Sequence, residues 1–444
     1  MLFGVGTFGS KILTFLLVRF YTEIFTPAEM SRANIILQTC FLLLPLATLS
    51  LEEAILRFGL DKEKPSKLFS VTTSLLIPWD IIFFAILLPI FVHIDDTKGY
   101  IAEIIFCVYM GGVRKTCQQT IRSQQKVKLF AYDGIQTTLL FVFFTVLFMK
   151  VFDWGISGFI LATAFSDFVS CIFLMTYGKV LKGLKLQLDF KLLKPMLKYS
   201  LPLMPTAILW WIVSASDLYM VRYMVGEEAN GIYSTAYKIP TLIALASTIF
   251  YQAWQMSATI EKDTAKVFYT QVSNAFQSLL FIASAGVMLL LKPLTNILTA
   301  SDYHQAYLYS TFLIIATLFG CFCQFSGAIY SAVKESKRSL YTSIIAAVSN
   351  VALNLILIPK FGVYGAAFST MFAYGICAVI RQIDTQHIVG YKTDNLNFTT
   401  NLFLLGVMCL SYFTPITPLF LIPAFVLIVF INFQSLLHTF RLLF

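Results

Sequence analysis

Apolar stretches long enough to cross a lipid bilayer recur from one end of this chain to the other. Of its 444 residues, 58% are hydrophobic and 12% are charged, and the mean hydropathy is +0.78. Soluble domains carry about 25% charged residues, so the chain lacks the charge to cover a soluble surface of its size. The composition predicts an all-α polytopic membrane protein. It excludes a sizeable soluble catalytic domain and a nucleic-acid-binding domain.

The length of the apolar stretches predicts about 14 transmembrane helices, because roughly 20 apolar residues span a bilayer core. We place them at residues 3–22, 33–56, 69–92, 101–122, 132–150, 155–177, 200–224, 231–256, 267–291, 306–331, 341–358, 362–382, 398–413 and 419–437. The stretch 2–21 lacks a basic start and a small-residue cleavage site. It is therefore interpreted as the first span and not as a cleavable signal.

The distribution of Lys and Arg predicts the orientation, because cytoplasmic connections are enriched in both. With the N-terminus inside, 23 of the 32 basic residues fall in inside connections and five fall in outside connections. Both termini are therefore expected to be cytoplasmic. The longest soluble connection, 179–199, then lies inside and carries six lysines. It fits either an anchor beside anionic headgroups or a linker between two halves of the chain.

An internal repeat favours two halves. Residues 154–158, Trp-Gly-Ile-Ser-Gly, recur as Phe-Gly-Val-Tyr-Gly at 361–365, and each copy opens a span after an outside turn. Ile-x-Ser-x-x-Lys at 121–126 recurs at 329–334. The sequence therefore predicts two six-helix lobes in parallel orientation. The predicted boundaries are 1–178 for the N-lobe, 179–199 for a basic cytoplasmic linker, 200–383 for the C-lobe and 384–444 for two appended C-terminal helices.

The whole chain resembles bacterial polysaccharide flippases of the Wzx type, within the multidrug/oligosaccharidyl-lipid/polysaccharide exporter superfamily. Four segments carry the resemblance: 200–205, 216–219, 226–240 and 25–30. The family often has Asp-Arg where this chain has Asp217 and Leu218, so Arg222 one turn further is interpreted as the replacement charge.

The resemblance implies two lobes around a central cavity and alternating access. It also implies a substrate, undecaprenyl-diphosphate-linked oligosaccharide, which moves from the inner to the outer leaflet of the bacterial plasma membrane. It implies other polysaccharide-assembly proteins as further partners, besides the lipid bilayer and the lipid-linked substrate. O-antigen, capsule and other lipopolysaccharide or exopolysaccharide pathways all fit.

Charged residues inside the spans are the candidate functional residues, since each costs several kcal/mol to insert and faces a cavity or a partner. Arg19, Arg222 and Lys238 are the candidate cations for a diphosphate-sugar head. Guanidinium offers a planar fork of donors that matches diphosphate oxygens. The alternative for Arg19 is a side chain that reaches the headgroup level from a helix end.

Asp217 is the fourth candidate substrate residue. It and Lys238 lie at similar depths on adjacent antiparallel spans, so a direct ion pair is expected. The alternatives are a structural pair and a pair used in transport. Asp80 and Asp167 are candidates for a coupling ion, H⁺ or Na⁺, because a buried carboxylate titrates near neutrality. Hydrogen bonding to a neighbouring helix is the alternative for both. Asn350 and Asn354 share one helix face.

Three function classes were weighed. A flippase for lipid-linked oligosaccharide agrees with the basic residues of the first span, Lys11 and Arg19, and the absence of Asp and Glu there. A cation-coupled multidrug exporter of the same superfamily would need acidic groups in the N-lobe. A membrane enzyme would need a large outer loop, which the chain lacks. No cofactor or metal is expected, since the eight cysteines lie in or beside apolar stretches without a nearby His.

Overall fold

The computed structural model describes residues 15–60, 63–248, 250, 265–333, 335–414 and 417–443. Within these residues the chain is built of helices, with no β-strand. It divides into two compact units, Met1–Trp211 and Ile212–Phe444. The predicted linker 179–199 lies in the first of these units.

In its described residues, the first unit contains seven helices after the helical residues 15–24, and it holds the start of an eighth. They are α1 (Pro27–Thr48), α2 (Leu51–Leu60), α3 (Pro65–His93), α4 (Ile101–Ser123), α5 (Val127–Val146), α6 (Gly155–Tyr177), α7 (Phe190–Ser200) and α8 (Leu203–Met224). A π-helical turn, Leu147–Val151, extends α5.

The second unit contains the end of α8 and eight further helices in the described residues. They are α9 (Glu227–Ala236), α10 (Ala265–Leu289), α11 (Leu291–Leu298), α12 (Ala306–Ala332), α13 (Ser336–Phe361), α14 (Val363–Val389), α15 (Asn395–Ser411) and α16 (Thr417–Leu443). Residues 241–248 are also helical. The last two helices belong to this unit and pack against α10.

Nine helices within the described residues are long and apolar enough to cross a membrane. The chain is thus a multi-pass membrane protein, while the number of 14 spans stays a prediction. The first predicted span begins outside the described residues, and the eighth ends outside them. A shorter apolar helix covers Leu419–Phe433.

Local sequence explains where the helices begin and end. Thr26 caps α1, since its hydroxyl accepts from the Glu29 amide at 3.4 Å and the Glu29 carboxylate accepts from the Thr26 amide at 2.9 Å. Positive φ angles at Leu49 and Ser50 end the helix. The predicted span 33–56 is therefore two helices, α1 and α2.

The repeated glycine motif has the same local geometry in both units. Gly155 and Gly362 have φ angles of +50° and +56°, which residues other than glycine rarely adopt. A Cβ at Gly158 would lie 3.1 Å from the backbone of Phe148, and one at Gly365 would lie 2.4 Å from the Leu357 carbonyl oxygen. Each glycine thus lets its helix approach the preceding helix closely.

The region predicted as a linker packs against other helices of the first unit. On α7, Leu192, Leu193 and Met196 are buried against apolar side chains of α2 and α3. Asp189 caps α7 and binds the Lys67 ammonium at 2.8 Å. This hydrogen bond holds the pKa of Asp189 below its usual range. The eight cysteines are all buried as free thiols, consistent with a packing role.

Candidate functional site

A buried carboxylate surrounded by hydroxyl groups lies in the second unit. Asp217 on α8 has no solvent-exposed surface. Its Oδ2 accepts hydrogen bonds from the hydroxyl of Tyr233 at 2.6 Å, from the hydroxyl of Tyr237, and from Thr370 Oγ1 at 2.9 Å. Its Oδ1 accepts from the backbone amide of Leu218 at 2.9 Å. Four donors therefore replace the water that an ionised carboxylate would otherwise bind.

Two asparagines continue this network away from Asp217. Asn350 donates through Nδ2 to Thr370 Oγ1 at 3.2 Å. Its Oδ1 accepts from Ser216 Oγ at 3.1 Å and from Asn354 Nδ2 at 3.1 Å. The Oδ1 of Asn354 is buried and lacks a hydrogen-bond partner among the described residues. We call Asp217 and these hydrogen-bonded neighbours the Asp217 network.

The eighth predicted span is interrupted beside this network. Helix α9 ends at Ala236, a turn covers 237–240, and a helix resumes at 241. Pro240 lacks an amide hydrogen, so the Ala236 carbonyl cannot receive the usual helical bond. Instead it accepts from Ser310 Oγ at 3.0 Å. Lys238 therefore lies at a helix break held by side chains, a kind of position that transporters use for binding.

The predicted ion pair between Asp217 and Lys238 is wrong. Lys238 forms no ion pair with any described residue. The reason is the helical period: Tyr233 and Tyr237 are four residues apart and share one face, and this face meets Asp217. Lys238 is the next residue, in the turn that follows α9, and it makes no such contact with Asp217.

The two candidate arginines each have a carboxylate partner. Arg222 is buried and its guanidinium binds Glu227 at 2.9 Å, at the start of α9. Arg19 is partly exposed and binds Glu23 one turn along at 2.6 Å. Of the three candidate cations, Lys238 alone has no carboxylate partner within the described residues.

A different buried network lies in the first unit, and it contains Asp167. The guanidinium of Arg114 on α4 binds Asp167 at 3.0 Å, Asp133 at 3.2 Å and Ser170 Oγ at 3.0 Å. Asp133 also accepts from Gln118 at 2.8 Å and from Ser170. One guanidinium thus serves two carboxylates from α5 and α6. We call this set the Arg114 network.

Asp80 is not part of either network. It lies near the middle of α3, and its Oδ1 is buried without a hydrogen-bond partner among the described residues. It lines two adjoining cavities of the first unit. Asp80 and Asp167, the two sequence candidates for ion coupling, are therefore in opposite situations: Asp80 has no such partner among the described residues, and Asp167 is bound to Arg114.

Several residues of these networks were missed by sequence reasoning. Arg114 lies in the predicted span 101–122 but was counted among the 23 basic residues of inside connections, whereas in the structure it lies within α4 and binds two carboxylates. Asp133 was not singled out, although it stands near the start of an otherwise apolar span. Tyr233 and Tyr237 share one helix face within the segment that carries the family resemblance. Their spacing was a usable signal, of the same kind that placed Asn350 and Asn354 on one helix face in the sequence analysis.

Sequence comparison identifies relatives of the chain. A family described as polysaccharide biosynthesis protein matches residues 2–255, which is more than half of the chain. The probable low-salt glycan biosynthesis flippase Agl15 of Haloferax volcanii is 22% identical over 254 residues. That match covers 54% of this chain and 54% of the relative, so the chain matches about half of the relative's length.

Structural comparison finds the same fold in solved transporters. The lipid II flippase MurJ, in an inward closed conformation, matches with a TM-score of 0.70 and 16% identity, over 98% of this chain and 99% of that chain. An inward-facing multidrug resistance MATE family transporter of the MOP superfamily matches with a TM-score of 0.66 and 13% identity, over 86% and 94%. At these identities the matches show the fold.

Proposed function

We propose that this chain, which belongs to the polysaccharide biosynthesis protein family, is a flippase that moves a lipid-linked oligosaccharide from the inner to the outer leaflet by alternating access. The family match carries the proposal, because it covers more than half of the chain. The glycan flippase from Haloferax volcanii and the fold shared with a lipid II flippase support it. The relatives are named as transporters, and transport without an enzymatic step is proposed here too.

Lys238 is the first residue we assign to the substrate. It lies at a helix break, is partly exposed, and has no carboxylate partner in the described part of the chain. An ammonium in this position is complementary to the diphosphate of an undecaprenyl-diphosphate-linked sugar. Asp217 acts on the same substrate indirectly, because it holds Tyr237, the residue before Lys238, through a hydrogen bond.

Arg19 and Arg222 are proposed to bind the diphosphate in exchange for Glu23 and Glu227. A carboxylate partner orients each guanidinium. It also lowers the free-energy cost of holding a charged group in a membrane-spanning segment before substrate binds. When substrate binds, the guanidinium N–H groups exchange the carboxylate oxygens for phosphate oxygens, which have a similar geometry. Release is favoured because the carboxylates remain nearby as competing partners.

Complementation of a flippase-deficient bacterium tests these assignments. Surface polysaccharide and protein level are measured for Arg19→Ala, Arg222→Ala and Lys238→Ala, with Lys98→Ala as the control. Lys98 binds Asp95 in an exposed turn and should be dispensable. Each of the three variants should lose most export at normal protein level, while Arg19→Lys keeps part of it. Normal export by all three would overturn the cationic site.

Coupling to an ion, H⁺ or Na⁺, is the second part of the proposal. The Asp217 network is the site we favour, since its carboxylate accepts from hydroxyl groups and one backbone amide and has no cationic partner in the described residues. Oxygen donors of this kind suit a proton or a hard cation. Asp80 and Asp167 remain candidates, and Asp167 would first have to leave Arg114.

A cation-coupled multidrug exporter is the second candidate function. The first unit favours it, because Asp80 has no cationic partner in the described residues and Asp133 and Asp167 share the guanidinium of Arg114. Growth of an exporter-deficient strain on lipophilic cations separates the two functions. Protection against such cations, without restored polysaccharide in the flippase-deficient strain, would favour the exporter.

We further propose that the chain lies in a bacterial plasma membrane with both termini cytoplasmic. O-antigen and capsule assembly are the pathways that suit it, with other polysaccharide-assembly proteins as partners. Reporter fusions after Lys194 and after Gly226 should report opposite sides of the membrane. Two fusions that report the same side would contradict this layout.

A further inference from the structure

Two cavities of the first unit meet at Asp80. The inner cavity, of about 140 Å³, lies between α1, α3 and α4, and the hydroxyls of Thr48 and Thr116 line it. The outer cavity, of about 570 Å³, is a groove between α3 and α4. Asp80 and Tyr109 line both cavities. Ile77 also lines both, so the two spaces adjoin at these three residues, which we call the neck.

The charge of Asp80 is not balanced within this pocket. The Thr48 hydroxyl donates to the Leu44 carbonyl at 3.0 Å, and the Thr116 hydroxyl donates to the Gly112 carbonyl at 2.9 Å. Both hydroxyls are thus bound to their own helices. The Oδ1 of Asp80 is buried without a partner, and Asp80 forms no ion pair in the described parts of the chain. An unpaired carboxylate in apolar surroundings is costly, so a positive group is the complementary occupant.

The outer groove opens toward lipid. Ile77 and Ile81 on α3 are 41% and 69% exposed, and α3 is a membrane-spanning helix, so this face meets acyl chains. Phe84 and Phe106 complete an apolar wall. Any occupant therefore arrives from the bilayer and needs an apolar body that can lie along this wall.

The depth of Asp80 limits the size of the positive group. Asp80 is about 22 Å along α3 from Pro65, at 1.5 Å per residue, close to the midpoint of this helix. A phospholipid headgroup would have to leave the interface and enter the hydrocarbon core to reach it. A compact ammonium on an alkyl chain can reach it, and the Tyr109 ring offers a further face for a cation.

We propose that this pocket, the Asp80 groove, binds lipophilic amines. The ammonium pairs with the Asp80 carboxylate at the neck, and the alkyl chain lies against Ile77, Ile81, Phe84 and Phe106. This site is separate from the substrate residues proposed above, and it does not depend on the transported glycan. It gives the molecule a membrane-facing position where a cationic amphiphile is held between α3 and α4.

Photo-crosslinking of the full chain in phosphatidylcholine nanodiscs tests the proposal. The probe is a dodecylamine with a diazirine near its amine, and the matched probe carries a hydroxyl in place of the amine. The amine probe should label peptides of α3 and α4 at least fivefold more than the hydroxyl probe. Unlabelled dodecylamine should compete. Asp80→Glu should keep the labelling, whereas Asp80→Asn should reduce it to the level of the hydroxyl probe.

Two further variants keep the result decisive. Asp95→Asn changes an exposed carboxylate outside the groove and should label like the wild type. Ile77→Trp fills the mouth of the groove at an exposed position, so it should abolish labelling even if Asp80→Asn folds poorly. Equal labelling by the two probes, labelling spread over all lipid-facing helices, or unchanged labelling of Ile77→Trp would overturn the proposal.

Discussion

The two buried carboxylate networks stabilise negative charge in different ways. In the first unit, Asp133 and Asp167 share the guanidinium of Arg114, so one cation serves both carboxylates. In the second unit, Asp217 is surrounded by two tyrosine hydroxyls, Thr370 and a backbone amide, with no cationic partner among the described residues.

This difference separates a structural role from a transport role. A carboxylate that is already paired with a fixed guanidinium gains little free energy from binding a mobile ion. Breaking the pair leaves a buried charge without a partner. A carboxylate held by neutral donors can take up a proton or a small cation, and its neighbours can reorient around either state. We therefore infer that the Arg114 network holds α4, α5 and α6 together and that the Asp217 network responds to ions.

The largest effect is expected from Arg114→Ala. Removing the guanidinium leaves two buried carboxylates without their cation, which costs about 3–5 kcal/mol. The protein should lose most of its folded yield in the membrane, measured by gel filtration in detergent. Lys98→Ala removes an exposed lysine paired with Asp95 and should leave the stability nearly unchanged. A folded, stable Arg114→Ala protein would show that the network is not structural.

The next effect is expected from Asp217→Asn. The side chain keeps its size, so folding should persist with a lower unfolding midpoint, while ion-dependent transport should fall at least tenfold, or about 1.4 kcal/mol. Transport is measured with and without a Na⁺ or H⁺ gradient. Asp95→Asn serves as the exposed control. If Asp217→Asn keeps the ion dependence of the wild type, the two networks do not differ in the way we infer.

A smaller effect is expected from the tyrosine of the helix break. Tyr237→Phe removes one hydrogen bond to a buried carboxylate and should cost about 1–2 kcal/mol. Combined with Asp217→Asn it should be less than additive, because the two residues share this bond. Unfolding midpoints of the four proteins in the cycle measure the coupling. Full additivity would place Tyr237 outside the network.

The smallest effect is the coupling between Asp217 and Lys238. They form no ion pair, so a double-mutant cycle with Asp217→Asn and Lys238→Gln should give a coupling below about 0.5 kcal/mol in stability. The same four unfolding midpoints can be compared with the Tyr237 cycle. A larger coupling would restore the ion pair expected from sequence, and it would give the Asp217 network a cation of its own.

The sequence was sufficient to predict the helical membrane fold, because apolar length and charge density are properties of the chain itself. The glycine motif at 154–158 and 361–365 was also visible, since close helix packing needs glycine at fixed positions. The rotation of each helix about its axis was not determined from depth alone. Depth placed Lys238 opposite Asp217, but the face with Tyr233 and Tyr237 is the one that meets it.

The Arg114 network shows the same limit for charge counting. Arg114 counted toward the cytoplasmic excess of basic residues because it lies near the end of a span in sequence. Its binding to Asp133 and Asp167 depends on three helices that come together only in the fold. The sequence of a single helix therefore does not show whether a basic residue sets the membrane orientation or forms a buried ion pair.

The most direct measurement is translocation by purified protein in proteoliposomes. A fluorescent undecaprenyl-diphosphate-linked oligosaccharide is placed in both leaflets, and dithionite quenches only the outer pool over time. Wild-type protein with an ion gradient should make the inner pool accessible faster than empty vesicles do, and Asp217→Asn should be at least tenfold slower. An inner pool that stays protected with folded wild-type protein, or equal rates for both proteins, would contradict an ion-coupled flippase.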